Sequence, residues 1–221
     1  MMIKSNIKKM VIPSLVTLLP ILFGIIVWDK LPAELPIHWN FAGEIDNYAG
    51  KGFVVFGIPP LMLFVHWLCV LGTALDPKNK NQNKKPMGVI IWSIPFVSLL
   101  LAFIIYSEAL GYHMNVEAVA FVLIGVLLLV IGNYLPKCKQ NYTLGIKVVW
   151  ALETEENWNA THRFAGKLWT VGGILLVFCG FLPTPWNLVL FLSLTFPMVI
   201  APVVYSYLYY KKHSVDNEED K

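Results

Sequence analysis

The chain has 221 residues, of which 57% are hydrophobic and only 14% charged, with a formal net charge of +3. This balance lies outside the range of soluble globular domains and indicates a membrane protein, and the charge is too small to suggest direct binding of nucleic acid. Three cysteines, Cys69, Cys138 and Cys179, cannot close a complete disulfide framework and read as free thiols.

Residues 1–9 form a short basic N-terminus with Lys4, Lys8 and Lys9, followed by an apolar run over 10–28 that is long enough for a first membrane span. A cleaved signal peptide is the rival reading, but the run is long for one and no small-x-small site follows it. Residues 29–52 are polar and broken by Pro32, Pro36, Gly43 and Gly50. Within them Leu35–Trp39 reads as extended and Gly43–Asn47 as a turn. A second span covers 53–75, kinked or broken at Pro59-Pro60, and a hydrophilic loop covers 76–86. The third span is 87–106, a turn follows over 107–115, and the fourth span is 116–135. A polar interval at 136–167 precedes a fifth span at 168–182, a tight connection at 183–186, a sixth span at 187–210 and a charged tail at 211–221, which is expected to be disordered. The fold class is therefore an all-α integral membrane protein with six transmembrane helices.

Lysine and arginine placement gives the orientation. One side collects Lys4, Lys8, Lys9, Lys78, Lys80, Lys84, Lys85, Lys137, Lys139, Lys147, Arg163, Lys167, Lys211, Lys212 and Lys221, whereas the other has Lys30 and Lys51. The excess of positive charge on the inner side puts both termini and the interval 136–167 in the cytoplasm, with the 29–52 loop outside. Trp28, Trp39 and Trp186 then fall near the outer boundary, and Trp150, Trp169 and Tyr205–Tyr210 near the inner one.

The interval 136–167 is the longest polar stretch of the chain and carries a pattern of its own, which favours a functional role over a mere connector. Asn141–Gly145 reads as a turn, with Gly145 at positive φ. Thr154 can cap a helix whose first turn holds Glu155 and Glu156, where the dipole favours acids. Trp158, Thr161, His162, Ala165 and Trp169 then recur on one face, with Glu155, Asn159 and Arg163 on another. This is an amphipathic helix entering a span. Gly125 and Gly132 in the fourth span, with Gly172, Gly173 and Gly180 in the fifth, permit close helix packing.

Catalytic motifs are missing from the sequence: it has no Gly-rich phosphate loop, no His-Glu-x-x-His and no Gly-x-Ser-x-Gly. Neither enzyme activity nor a cofactor is expected. His38, Glu34, Glu44 and Asp46, with His113, Glu108 and Glu117 on the same side, have the chemistry of metal ligands, but their spacing matches no ligand pattern, and no metal is expected. Spans two to six hold no Asp, Glu, Lys or Arg well inside, which argues against a proton-driven pump. His66 is the one ionisable group of that kind in the second span and is expected to bond a neighbouring helix. The outer side is acidic and would attract a cationic peptide.

The run Asn141-x-x-x-Gly145-Ile146-Lys147-x-x-Trp150-x-Leu152, then Glu155, Trp158 and Arg163-Phe164-Ala165, resembles the signature of the SdpI family of bacterial immunity proteins. The segment Leu35–Trp39 with Gly43 resembles the extracellular module that commonly accompanies it. The resemblance implies a multi-pass protein of the bacterial cell membrane that protects its producer from a secreted peptide toxin. It also implies recruitment of a small winged-helix repressor to the membrane. Candidates to face the toxin are His38, Trp39, Gly43, Glu44 and Asp46; candidates to hold a cytoplasmic partner are Asn141, Gly145, Lys147, Trp150, Glu155, Trp158 and Arg163. The chain departs from the family where Arg-Thr-Pro is usual and Lys147-Val148-Val149 stands, and lysine does not make the bidentate contacts of arginine. The alternative function is a transporter or exporter of a small amphipathic molecule, supported by the proline-broken spans and His66. Lipid is the one partner common to both.

Overall fold

The computed structural model describes residues 2–40, 42–78 and 84–219, and of these the side chains of 10–40, 42–78, 87–213. Phe41, Lys80 and Lys221, and the side chains of Lys4, Lys8, Lys9, Lys84 and Lys85, lie outside the described residues. The chain divides into two compact units, Met1–Ala74 with Met87–Glu117, and Leu75–Pro86 with Ala118–Lys221.

In the first unit, helix α1 (Met2–Ile26) leads to a β-hairpin, β1 (Glu34–Trp39) and β2 (Ile45–Gly50), then to α2 (Lys51–Phe56), α3 (Ile58–Leu75) and α4 (Lys84–Ala109). The strands pair antiparallel, Glu34 opposite Gly50 and Trp39 opposite Ile45. The expectation of an all-α chain is thus corrected to a mostly helical one with a two-stranded hairpin. Its first strand follows the sequence reading, but the turn expected over Gly43–Asn47 is shorter, because Ile45, Asp46 and Asn47 belong to β2, which escapes the reading. Ile45-Asp46-Asn47-Tyr48-Ala49-Gly50 has no buried residue and no apolar alternation, so it is held by pairing with β1 rather than by a face of its own. The break between α2 and α3 falls at Gly57, and Pro59 and Pro60 occupy the first turn of α3, where a missing N–H costs no intrahelical bond.

Leu31, Leu35, Val54, Val55, Ile105 and Tyr106 form the unit's larger core, so the hairpin and α2 pack on the last turns of α4. A second cluster joins Met10, Val70 and Ile91. The Tyr106 hydroxyl donates to Pro20 O at 3.1 Å, and Ser98 Oγ donates to Thr17 O at 2.9 Å, which ties α4 to α1. His66 is fully buried and neither ring nitrogen meets a partner in the protein, so the bond to a neighbouring helix expected from the sequence is not made.

In the second unit, α5 (Val116–Tyr134) is followed by the polar lobe, α6 (Val149–Glu153), α7 (Glu155–Cys179) and α8 (Trp186–Glu219). Glycines set the packing of α5 on α7. A Cβ at Gly125 would stand 2.7 Å from Gly173 O, and one at Gly173 would stand 2.6 Å from Gly125 O. One turn pair further, Gly132 and Gly166 stand in the same relation, each within 2.9 Å of the other's carbonyl oxygen. The backbones touch because no side chain intervenes, as expected for Gly125 and Gly173; Gly166 extends the contact beyond the predicted set. Helix α8 continues to Glu219 instead of ending at Tyr210 before a disordered tail. No Gly or Pro follows Tyr210, and His213 stacks on Tyr209 with its Nδ1 2.9 Å from Tyr209 O, so nothing in the sequence stops the helix there.

Among the described residues, four helical stretches are long and apolar enough to cross a membrane: Lys51–Leu75, Met87–Ala109, Val116–Lys137 and Trp186–His213. Met10–Ile26 is a shorter apolar helix. Helix α7 joins the predicted amphipathic helix and the predicted fifth span in one unbroken rod of 25 residues, about 37 Å long.

Candidate functional site

The sequence places its candidate residues in two regions, the hairpin and the polar lobe, and each is built within one unit. In the hairpin, Asn40 organises the turn. Its Oδ1 accepts from the N–H of Ala42 and Glu44 at 2.9 and 3.0 Å, and its Nδ2 donates to Glu44 Oε2 at 2.9 Å. Gly43 takes φ +76°, a left-handed conformation that glycine adopts without strain. Across the strands His38 Nδ1 lies 2.5 Å from Asp46 Oδ1. His38, Glu44 and Asp46 are exposed, while Trp39 is half-buried and packs on the core below. The Lys51 ammonium donates to Trp28 O and Leu31 O at 3.1 and 3.2 Å and lies over the Trp28 ring. His113 Nδ1 pairs with Glu108 Oε1 at 2.7 Å. The two histidine–carboxylate pairs remain separate, and among the described residues no group of three or more His, Cys, Asp or Glu could hold a metal ion.

The polar lobe is assembled around four side chains. Asn141, almost fully buried, folds the turn upon itself. Its Oδ1 accepts from Thr143 N and Leu144 N at 2.9 and 2.6 Å, and its Nδ2 donates to Lys139 O and Leu144 O. That turn delivers Gly145, at φ +100°, directly against α7. A Cβ there would fall on His162 Nε2 and come within 3.1 Å of Trp158. The next N–H, that of Ile146, donates to His162 Nε2 at 3.0 Å, while His162 Nδ1 lies 2.8 Å from the carbonyl oxygen of Trp158. A carbonyl only accepts and an N–H only donates, so the ring carries its proton on Nδ1 and is neutral. Burial pushes the His162 pKa down to about 4, and its bond to Trp158 offsets this only in part. The indole of Trp158 stacks on this imidazole at 3.9 Å and donates to Cys138 O at 2.8 Å.

Asp76, at the end of α3, reaches the same turn from the other side. Its Oδ2 accepts from Tyr142 N and Thr143 Oγ1 at 2.7 and 2.9 Å, and its Oδ1 from Lys78 N at 2.9 Å. Burial alone would raise the carboxyl's pKa, but these bonds outweigh it and hold the group below its usual value, ionised and acceptor-only. Gln140 donates to Ala151 O and Leu152 O at the C-terminal end of α6 and accepts from Lys78 Nζ at 3.0 Å. Thr154 caps α7 as the sequence predicts, accepting from Asn157 N at 3.1 Å. Asn157 fastens α8: its Oδ1 accepts from Thr161 Oγ1 and Ser206 Oγ, and its Nδ2 donates to Ser206 O.

This geometry separates the predicted partner-binding residues into two groups. Asn141, Trp158 and Gly145 belong to the internal frame of the lobe, and Trp158 has no exposed surface. Trp150 is half-buried against Tyr207, ring centres 5.0 Å apart. Lys147, Glu155 and Arg163 are exposed, and Val149 beside them is 76% exposed. Asp76, Gln140, Thr143, Asn157, His162 and Ser206 were not among the candidates. Asp76-Pro77 is a turn-initiating pair and could have drawn attention to itself; nothing local marks its partner 66 residues away.

A helical multi-pass protein of the bacterial cell membrane is the class that these helices define, together with the following comparisons. Residues 137–206 match the SdpI/YfhL protein family, and residues 15–63 match a domain of unknown function, DUF1648. The first match spans the polar lobe and the second the hairpin. Over 210 residues the chain is 26% identical to the protein named Immunity protein SdpI from Bacillus subtilis (strain 168), an alignment that covers 93% of this chain and 97% of that protein. No solved structure matches the chain.

Proposed function

We propose that this chain is a membrane immunity protein that protects the cell producing it from a secreted peptide toxin. The observation that carries this reading is the near end-to-end similarity to a protein named for immunity. Six helices cross the membrane, with both termini and the polar lobe in the cytoplasm and the hairpin outside; the lysine bias of the sequence supports this arrangement. Toxin meets the hairpin at His38, Trp39, Gly43, Glu44 and Asp46. The lobe reports engagement through its exposed residues, Lys147, Val149, Glu155 and Arg163 with the half-buried Trp150, and a small winged-helix repressor is held there. A ligand shifts an equilibrium only by its differential affinity for two states, so toxin must favour one arrangement of the helices that carry the lobe.

Deletion of the gene, followed by challenge with the cognate toxin, tests this reading. Survival should fall and should return when the intact chain is supplied. Unchanged survival overturns it. A carrier of small amphipathic molecules is the second reading, and the buried His66 with its two unbonded ring nitrogens favours it. It requires substrate flux in proteoliposomes that His66→Ala abolishes.

A further inference from the structure

A groove of about 670 Å³ opens between α1 and α4, within the first unit. Leu19 and Phe23 form one wall, and Leu99 and Phe103 the other, all of them exposed. Its floor is fixed, because Tyr106 is bonded to Pro20 O and packs on Phe23 with ring centres 5.5 Å apart. The volume is that of a ligand site, and the lining is apolar almost throughout. One end is polar. Ser107 and Tyr112 line it, and Glu108, next to Ser107 in the chain, has its carboxylate bonded to His113 and to Met114 N. The hairpin packs on the same end of α4, through Ile105 and Tyr106, and Gly43 in its turn lies beside Glu117, the last residue of the first unit.

Charge decides among three possible occupants. The hairpin and the turn before it carry the exposed carboxylates of Asp29, Glu34, Glu44 and Asp46, and the cations that flank them in the chain are Lys30 and Lys51, the latter committed to Trp28 O and Leu31 O. An acidic rim disfavours the headgroups of anionic lipids. A second copy of the chain would bring the same acidic hairpin against it, and like charges brought together at an interface cost affinity. An apolar peptide segment flanked by lysine or arginine satisfies both ends: its apolar stretch fills the groove and its basic flank meets the carboxylates.

We infer that the α1–α4 groove is the seat of the apolar segment of a cationic peptide, with the hairpin carboxylates receiving its basic flank. The identity of that peptide as the toxin rests on the immunity reading; the groove's preference for this chemistry does not. The test uses the full chain in phosphatidylcholine vesicles and two synthetic leucine–alanine helices of about 20 residues, the length that spans a bilayer. Each carries a photoreactive leucine at its centre; one ends in lysines, the other in glutamates. The lysine-ended helix should crosslink to Leu19, Phe23 and Phe103 about tenfold more than the glutamate-ended one, as expected for two or three exposed charge pairs. Ala102→Trp, which fills the groove, should suppress this labelling. The triple variant Glu34→Gln, Glu44→Gln, Asp46→Asn alters only exposed side chains and should bring the two helices to equal labelling. Labelling spread over all lipid-facing helices, equal labelling of the intact chain by both helices, or groove crosslinks formed only between two copies of the chain would each overturn the inference. If the groove is not labelled but deletion still sensitises the cell, the groove falls and immunity stands. If the groove is labelled as expected but deletion changes nothing, the groove stands and immunity falls.

Discussion

The hairpin and the polar lobe are both small polar assemblies in an oily chain, but they spend their hydrogen bonds differently. The hairpin's side-chain bonds run between residues at most eight apart and lie at the surface. The lobe adds to its local bonds buried or half-buried ones that join residues 16, 20, 49 and 66 apart. Exposed pairs contribute little to stability, whereas buried donors and acceptors are costly to orphan. The hairpin therefore holds groups that remain available to a partner. The lobe uses its polar groups to define its own shape, and only its outer face remains on offer.

The largest test of this contrast is Trp158→Ala. It removes a buried indole, empties the space under Gly145 and leaves Cys138 O without its donor, at a cost of about 4 kcal/mol. Thermal unfolding in mild detergent should move down accordingly, and protease should cut between residues 139 and 154. A variant with unchanged stability would show that the lobe is not built on this residue. Acid should have the next largest effect. The folded lobe keeps His162 neutral down to about 4, whereas an unfolded histidine takes a proton near 6.5. The lobe's stability is thus complete above that value and declines as pH falls from 6.5 towards 4, by a total approaching about 3 kcal/mol. Tryptophan fluorescence followed across this window measures the loss, and His162→Gln, whose amide oxygen can accept from Ile146 N–H, should flatten the slope. The smallest structural effect belongs to Asp46→Asn in the hairpin. Its unfolding temperature should stay within the change produced by about 0.5 kcal/mol, while protection against toxin should drop. A large loss of stability there would make the two regions alike.

Much of this division was legible where the cause is local. Thr154 announces the cap of α7, Gly145 the left-handed turn, and the spacing of Trp158, Thr161, His162 and Ala165 the buried face. The misreadings concern what only tertiary contact decides. A tryptophan on an amphipathic face reads equally as a partner's anchor or as core, and Trp158 became core because Gly145 and Cys138 come to it from outside its helix. Asp76 closes the lobe across 66 residues, which no window of sequence contains. Strand β2 depends on its partner in the same way. His66 shows the converse: its helix could be read, but the want of a hydrogen-bond partner for its buried ring could not.

The unbroken length of α7 has a practical corollary. Trp158 and His162 sit on the same rod as Gly166 and Gly173, whose missing side chains let α5 press against it. A recombinant piece ending near Lys167 would sever that rod where the adjoining helix grips it, and Asn157 would lose Ser206 as well. The polar lobe is consequently no detachable module. Binding assays that test the lobe for a partner need the whole chain in detergent or nanodiscs as bait, because an excised fragment would lose the contacts that shape its surface.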